Sequence, residues 1–170
     1  MRLVPASLDP PPGLADFLHE IGDGENGFLG SGFASGPASL AEYLRSLVDM
    51  SGGRGLRPEW VPMTTHWLLD TAGDVVGVSR LRHWLTPALL EHGGHIGYYV
   101  RPSQRGKGYG ALLLKLTLQA ARELGIEGPY LLTVDSANVA SVKVIEANSG
   151  RLEDERLDSA GSPYGRYWIE

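Results

Sequence analysis

Cysteine is absent from the sequence, so disulfides, thiolate metal sites and a cysteine nucleophile are excluded and chemistry must rest on oxygen and nitrogen groups. A reducing cytoplasm is the compartment this inventory suits. Long apolar runs are also missing. A membrane span needs roughly 18 uncharged residues, and the most apolar helical stretch, 111–118, is interrupted by Lys115. The opening Met1-Arg2-Leu3-Val4-Pro5 has neither the apolar core nor the small-residue cleavage site of an export signal. Neither membrane nor export is therefore expected. Surplus positive charge is lacking too: the formal net charge is −5, which argues against nucleic acid as the main partner.

What is present describes one ordinary globular unit. The chain has 170 residues, 42% hydrophobic and 21% charged, within the range of a single α/β domain. Leu14, Phe17, Leu18 and Ile21 share a helix face that ends at Gly22. The glycine-rich stretch 22–36 follows as a loop. Ser39 to Glu42 has capping-box spacing and opens a second helix that stops at Gly52-Gly53. Residues 64–70 and 75–81 read as an antiparallel hairpin, and His95 to Val100 as a third strand. A broad apolar helix spans Gly108 to Leu124, followed by a strand at 130–134, a helix at 138–147 and a terminal hairpin of 151–157 with 164–169. The expectation is a mixed central sheet with helices on both faces. Residues 1–60 would form an N-terminal helical arm and loop, and 61–170 the sheet-containing core.

Chemistry concentrates in one segment. Between Glu91 and Glu123 there is no acidic residue, while Arg101, Arg105, Lys107, Lys115 and Arg122 all fall inside that interval. Arg105-Gly106-Lys107-Gly108-Tyr109-Gly110 lies between a strand and the start of the best helix, where free amides and the helix dipole favour an anion. The glycines allow positive φ and close approach, which suits a diphosphate. The spacing is not that of a P-loop, and Ala111 offers no hydroxyl for magnesium. A literal Gly-x-Gly-x-x-Gly at 22–27 follows a helix instead of a strand and carries Asp23 and Glu25, so it reads as loop.

With these residues in place, the stretch from His95 to Gly150 resembles the core of the GCN5-related N-acetyltransferase (GNAT) superfamily. Arg105, Gly108 and Gly110 meet its Gln/Arg-x-x-Gly-x-Gly/Ala pattern, and Asn138-Val139-Ala140-Ser141 is similar to its second conserved helix. The resemblance implies a single-domain fold that moves an acetyl or short acyl group from acyl-CoA to an amine by direct attack, without a covalent enzyme intermediate or a metal. It implies that Tyr98, Tyr99 and Val100 bond the pantetheine arm. Arg105, Gly106, Lys107, Gly108, Tyr109, Gly110 and Ala111 would hold the pyrophosphate, with Asn138 and Ser141 as the far wall. Relatives commonly carry a tyrosine acid seven residues after the asparagine, and here that position is Ile145. The alternative is a catalytically silent CoA-binding module on the same fold. His95, at the head of the cofactor strand, is the first candidate base, because histidine titrates near neutrality. Glu91 is the second. Arg82 and His83, with Arg80, are candidates to line an acceptor pocket that favours carboxylates. The acceptor class, small molecule or peptide, stays open, as does a homodimer.

Overall fold

The structure, a computed structural model, describes residues 1–31, 33 and 39–170. Gly32 and Gly36 of the glycine-rich stretch lie outside the described residues. Along the chain run β1 (Arg2–Pro5), α1 (Leu14–Ile21), the two-residue strands β2 (Gly24–Glu25) and β3 (Phe28–Leu29), α2 (Leu40–Ser51), β4 (Met63–Leu69) and β5 (Val75–Arg82). They are followed by α3 (Pro87–Glu91), β6 (Ile96–Val100), a 3-10 turn at Pro102–Gln104, α4 (Tyr109–Glu123), β7 (Tyr130–Asp135), α5 (Val139–Ala147), β8 (Arg151–Leu157) and β9 (Pro163–Ile169). Every helix and strand expected from periodicity is present. Four short elements were not anticipated: β1, the β2–β3 hairpin and α3. The segment read as an N-terminal arm supplies an edge strand, because β1 pairs antiparallel with β4 from Arg2↔Leu69 to Pro5↔His66.

Alternation along the strands places helices on both sides. Trp67, Leu69, Val78 and Tyr99 pack with Leu14, Phe17, Leu18 and Leu44 of α1 and α2. Leu68 and Val76 point the other way, onto Leu113 of α4. Leu81 and Ile96 join Leu114 and Leu118 of α4 in a third cluster with β7, β9 and Ile145 of α5. Burying each such side chain contributes about 1.5–3 kcal/mol. The α2 start is capped as its spacing predicts, with the Ser39 hydroxyl accepting the Glu42 N–H at 3.2 Å.

The sheet divides where the chain crosses over. The described strands form β1-β4-β5-β6 and β7-β9-β8, with antiparallel ladders throughout, and no ladder joins β6 to β7. On its inner edge, β6 bonds β5 through its odd-numbered residues: Arg82 N–H donates to His95 O at 2.8 Å and Arg101 N–H to Val76 O at 2.9 Å. Antiparallel alternation therefore turns the N–H and C=O of Ile96, Tyr98 and Val100 toward the open edge.

One end of this gap is clamped. His95 N–H donates to Leu131 O at 2.7 Å, and Leu131 N–H donates to His95 Nδ1 at 3.0 Å. Gly93 N–H adds a bond to Thr133 Oγ1 at 3.0 Å. Gly94 makes the approach possible: its φ is +62°, and a Cβ there would sit 2.4 Å from Leu131 O. Burial, reinforced by the charge of Arg82, pushes the His95 imidazole down to about 4, so the ring is neutral.

Two outcomes follow for stability. Gly94→Ala should cost at least ~2 kcal/mol, from the positive φ and the backbone clash, read as a lower denaturant midpoint. Gly106→Ala has positive φ but nothing within 4 Å of its Cβ, and should cost about half as much. Acidification should also weaken the fold. Between the ordinary histidine value and about 4, the unfolded chain takes up a proton at residue 95 that the folded chain does not, so stability falls as pH falls through that window. His66, likewise lowered to about 4 by burial, contributes in the same direction. Asn at position 95 keeps an acceptor for Leu131 N–H and cannot titrate. Its fall in Tm from about pH 7 to about pH 4.5 should be roughly 5–10 °C smaller than that of the wild type, equivalent to about 2–3 kcal/mol. Equal slopes would show that His95 is not held neutral.

Candidate active site

Beyond the clamp, the gap between β6 and β7 opens into a cleft of about 670 Å³. One side is formed by Tyr98, Ser141 and Ile145, from β6 and α5. The other side is formed by Phe28 and Leu29 of β3, by Arg80 and Arg82 of β5, and by Thr133 and Tyr164. The cleft thus passes through the sheet, with the open edge of β6 as one wall.

The segment singled out for an anion opens α4 as expected. Gly108 caps the helix with φ 79°, and no side chain caps it. The first bond into the cap runs from Leu112 N–H to Gly108 O at 3.2 Å, which leaves the amides of Tyr109, Gly110 and Ala111 without an intrahelical acceptor. Gly106 and Gly108 both have positive φ and open space around a built Cβ. Gly110 is different. Its φ is not positive, and its Cβ would meet Val144 Cγ2 of α5 at 3.0 Å, so helix packing is what requires glycine there.

The acid-free window of the sequence is not acid-free in space. Arg101 pairs with Glu20 of α1 at 2.9 Å, and Arg105 pairs with Glu25 of β2. That hydrogen bond from Arg105 holds the Glu25 carboxyl below its ordinary range. Arg105 Nε also donates to Val100 O at 3.0 Å, and its guanidinium lies 5.2 Å from the Tyr99 ring centre. Lys107 Nζ donates to Gln104 Oε1 at 2.8 Å. Along the sequence, Asp23 and Glu25 mark 22–27 as loop. In the fold, Glu25 instead pairs with Arg105 of the 105–110 glycine loop.

The remaining candidates separate. Tyr98 lines the cleft and donates its hydroxyl to Ser141 O at 3.2 Å, and burial raises it to about 12. Tyr99 faces the opposite side, packed edge-on against Phe17 with ring centres 6.3 Å apart. Asn138 caps α5, its Oδ1 accepting Ser141 N–H at 3.1 Å, so its side-chain oxygen is already used. Ile145 is 1% exposed and belongs to the core cluster.

The two candidate bases are not placed for the task. A neutral imidazole has one lone pair, and in His95 it accepts Leu131 N–H. His95 lines a shallow depression on the outer face beside Trp84 and Trp168, not the cleft. Glu91 is bound by Arg156 and also lies outside the cleft lining. His83 departs from expectation as well: its Nε2 lies 2.8 Å from Thr64 Oγ1, within a chain that continues to Ser51, and it borders the same outer depression.

Arg82 does reach the cleft. Its Nη1 donates to Gly93 O at 3.1 Å and to Gly94 O at 2.8 Å, while Nε and Nη2 have no acceptor among the described residues. Arg80 donates to Leu29 O and Gly30 O, each at 2.7 Å. Neither arginine has a carboxylate partner among the described residues. Burial disfavours the charge of both, and Arg80 adds repulsion at Arg82. Phe28, Leu29, His92 and Tyr164 also line the cleft without having been anticipated. They come from loops and element ends, where periodicity gives no signal. Among the described residues, no group of His, Asp and Glu is arranged to hold a metal, and no helix is long and apolar enough to cross a membrane.

Comparison with known proteins agrees with this fold. An L-methionine sulfoximine/L-methionine sulfone acetyltransferase of Pseudomonas aeruginosa is 30% identical over 105 residues, covering 59% of this chain and 57% of that protein. A protein of the same description from Pseudomonas paraeruginosa matches to the same extent. The match thus spans little more than half the length of these relatives. Among solved structures, a GNAT-family acetyltransferase of Streptococcus pneumoniae superposes with a TM-score of 0.70 at 15% identity, over 99% of both chains. A spermidine N-acetyltransferase of Vibrio cholerae gives 0.63 at 13% identity, over 99% of this chain and 94% of the other. The family model described as Acetyltransferase (GNAT) family matches residues 41–150, from α2 through the 105–110 glycine loop to the end of α5, and the chain belongs to that family.

Proposed function

We propose that this chain is an acyl-CoA-dependent N-acyltransferase whose acceptor is a small amine carrying a carboxylate. The observation that supports it best is the cleft itself, which is lined by the open edge of β6 and by two arginines that have no carboxylate partner among the described residues. The residues fit a diphosphate-bearing cofactor. Three free amides at the α4 N-terminus and the open space at Gly106 and Gly108 suit an anion. The outward N–H and C=O groups of Ile96 and Tyr98, with the N–H of Val100, suit the amides of a pantetheine arm laid alongside as an added strand.

Acetyl-CoA, or another short acyl-CoA, supplies the activated carbonyl when bound. The chain contributes orientation, water exclusion and charge. The acceptor carboxylate meets Arg82, whose Nε and Nη2 have no acceptor among the described residues and whose Nη1 is fixed by Gly93 and Gly94. An outward amide of β6 donates toward the oxygen on which negative charge develops. With no cysteine available, the amine attacks directly. The relatives' name specifies amino-acid derivatives as acceptors, which supports the same class. Ile145, the basis for a silent CoA-binding module, is accounted for as core packing and carries no argument for lost catalysis.

The test is thiol release from acetyl-CoA across amino acids, their carboxamides, polyamines and peptides. Release should favour free α-carboxylates. Arg82→Met should lower kcat/KM for amino acids by about 10- to 100-fold and leave the carboxamides nearly unchanged. Equal loss with both would assign Arg82 to packing, and release with polyamines alone would replace the acceptor class.

A further inference from the structure

Resting on the acyl-transfer reading, we infer that His92 is the group that takes the proton from the acceptor amine. His92 stands three residues before His95, and the chain treats the two oppositely. The turn Gly93-Gly94 lets the backbone cross onto β7, where His95 is buried with its lone pair committed to Leu131. His92 is left on the cleft side, exposed, and its ring nitrogens have no hydrogen-bond partner among the described residues.

The ring is nevertheless oriented. It packs edge-to-face on Tyr164, with centres 4.6 Å apart and planes at 73°. Tyr164 is itself fixed by its hydroxyl donating to Glu91 O at 3.0 Å. Arg82 grips the carbonyls of Gly93 and Gly94, the residues that directly follow His92. An acceptor whose carboxylate lies on Arg82 therefore presents its α-amine beside residue 92, since the two groups of an α-amino acid share one carbon. The other ionisable groups lining the cleft are Arg80 and Arg82 on β5, Tyr98 on β6, Asp135 on β7, Asp158 after β8 and Tyr164 on β9. Arginine cannot accept a proton. Tyr98 is neutral and hydrogen-bonded to Ser141. Asp158 Oδ1 accepts the turn amides of Ala160 and Ser162, each at 2.8 Å, and Asp135 Oδ1 accepts the amide of Ala137 at 2.8 Å. Among the described residues, His92 is the imidazole that lines the cleft.

The proton balance is complete without another reagent. An amine of pKa about 8 to 10 arrives as an ammonium and gives one proton to His92, which passes it to solvent. Nitrogen then bonds the acyl carbon, the carbon–sulfur bond breaks, and the second proton leaves nitrogen as the thiolate becomes a thiol.

His92→Gln keeps a polar side chain and removes the base. At about pH 7 it should lower kcat by roughly 10- to 100-fold, with the acceptor KM little changed and the thermal shift on acetyl-CoA intact. The deficit should close as pH approaches the amine's own pKa, because a neutral amine needs no acceptor for its first proton. Independently of turnover, the ring resonances lost in His92→Gln should shift in the wild type when an amino acid is added without acetyl-CoA. Unchanged kcat, a deficit equal at every pH, or resonances that do not respond would each overturn the assignment to His92 alone. A wild type that releases no thiol with any acceptor would instead overturn the acyl-transfer reading.

Discussion

The structure depends on a sheet that is joined at one end and left open along the rest. His95 and Leu131 exchange two hydrogen bonds across β6 and β7, one of them through the imidazole. Past that point the strands form no ladder. The unpaired edge of β6 would be a liability on a protein surface, because a row of free N–H and C=O groups invites another strand. Here it faces a cleft whose lining includes Ser141 and Ile145 of α5, where free backbone groups can serve an extended ligand.

The clamp explains why neighbouring residues have different fates. A neutral imidazole offers one lone pair, so a histidine that holds the sheet together cannot also collect protons from a substrate. His95 has the first role and His92 is free for the second. The same economy operates at the anion loop. Arg105 is shared between the Val100 carbonyl, the Tyr99 ring and Glu25, and the free amides of α4 offer an anion the least encumbered contacts. Glu25 sits on the hairpin that also brings Phe28 and Leu29 to the cleft, so the glycine-rich segment connects the 105–110 loop to the cleft wall.

Strong periodicity was readable in the sequence. The faces of α1, α2 and α4, the β4–β5 hairpin, the α2 cap and the strand–glycine loop–helix order all carry local signals, and each is present. The resemblance to the GNAT pattern in 95–150 led to the right family. What was not readable depends on contacts distant in sequence. β1 is four residues and gains meaning only from β4, and the β2–β3 hairpin only from Arg80, which holds Leu29 and Gly30. The acid-free window was real along the chain yet paired in space, because Glu20 and Glu25 arrive from about 80 residues upstream. The commitment of the His95 lone pair was hidden for the same reason: Leu131, whose N–H it accepts, is 36 residues away.

The central claim is that the α4 N-terminus holds the diphosphate of an acyl-CoA, and a thermal melt tests it without knowledge of the acceptor. A ligand at about a hundred times its Kd adds roughly 2.7 kcal/mol, or several degrees for a chain of this size. Acetyl-CoA should raise the Tm of the wild type by that amount, and NAD and ATP should raise it much less. Gly108→Ala and Gly108→Glu share the strain of a side chain at φ 79°, so both apo proteins should melt a little lower. Gly108→Ala should keep most of the acetyl-CoA shift, and Gly108→Glu, with a carboxylate where the phosphates approach, should lose it. A wild type that shows no shift with acetyl-CoA, or an equal shift with NAD or ATP, would contradict the account.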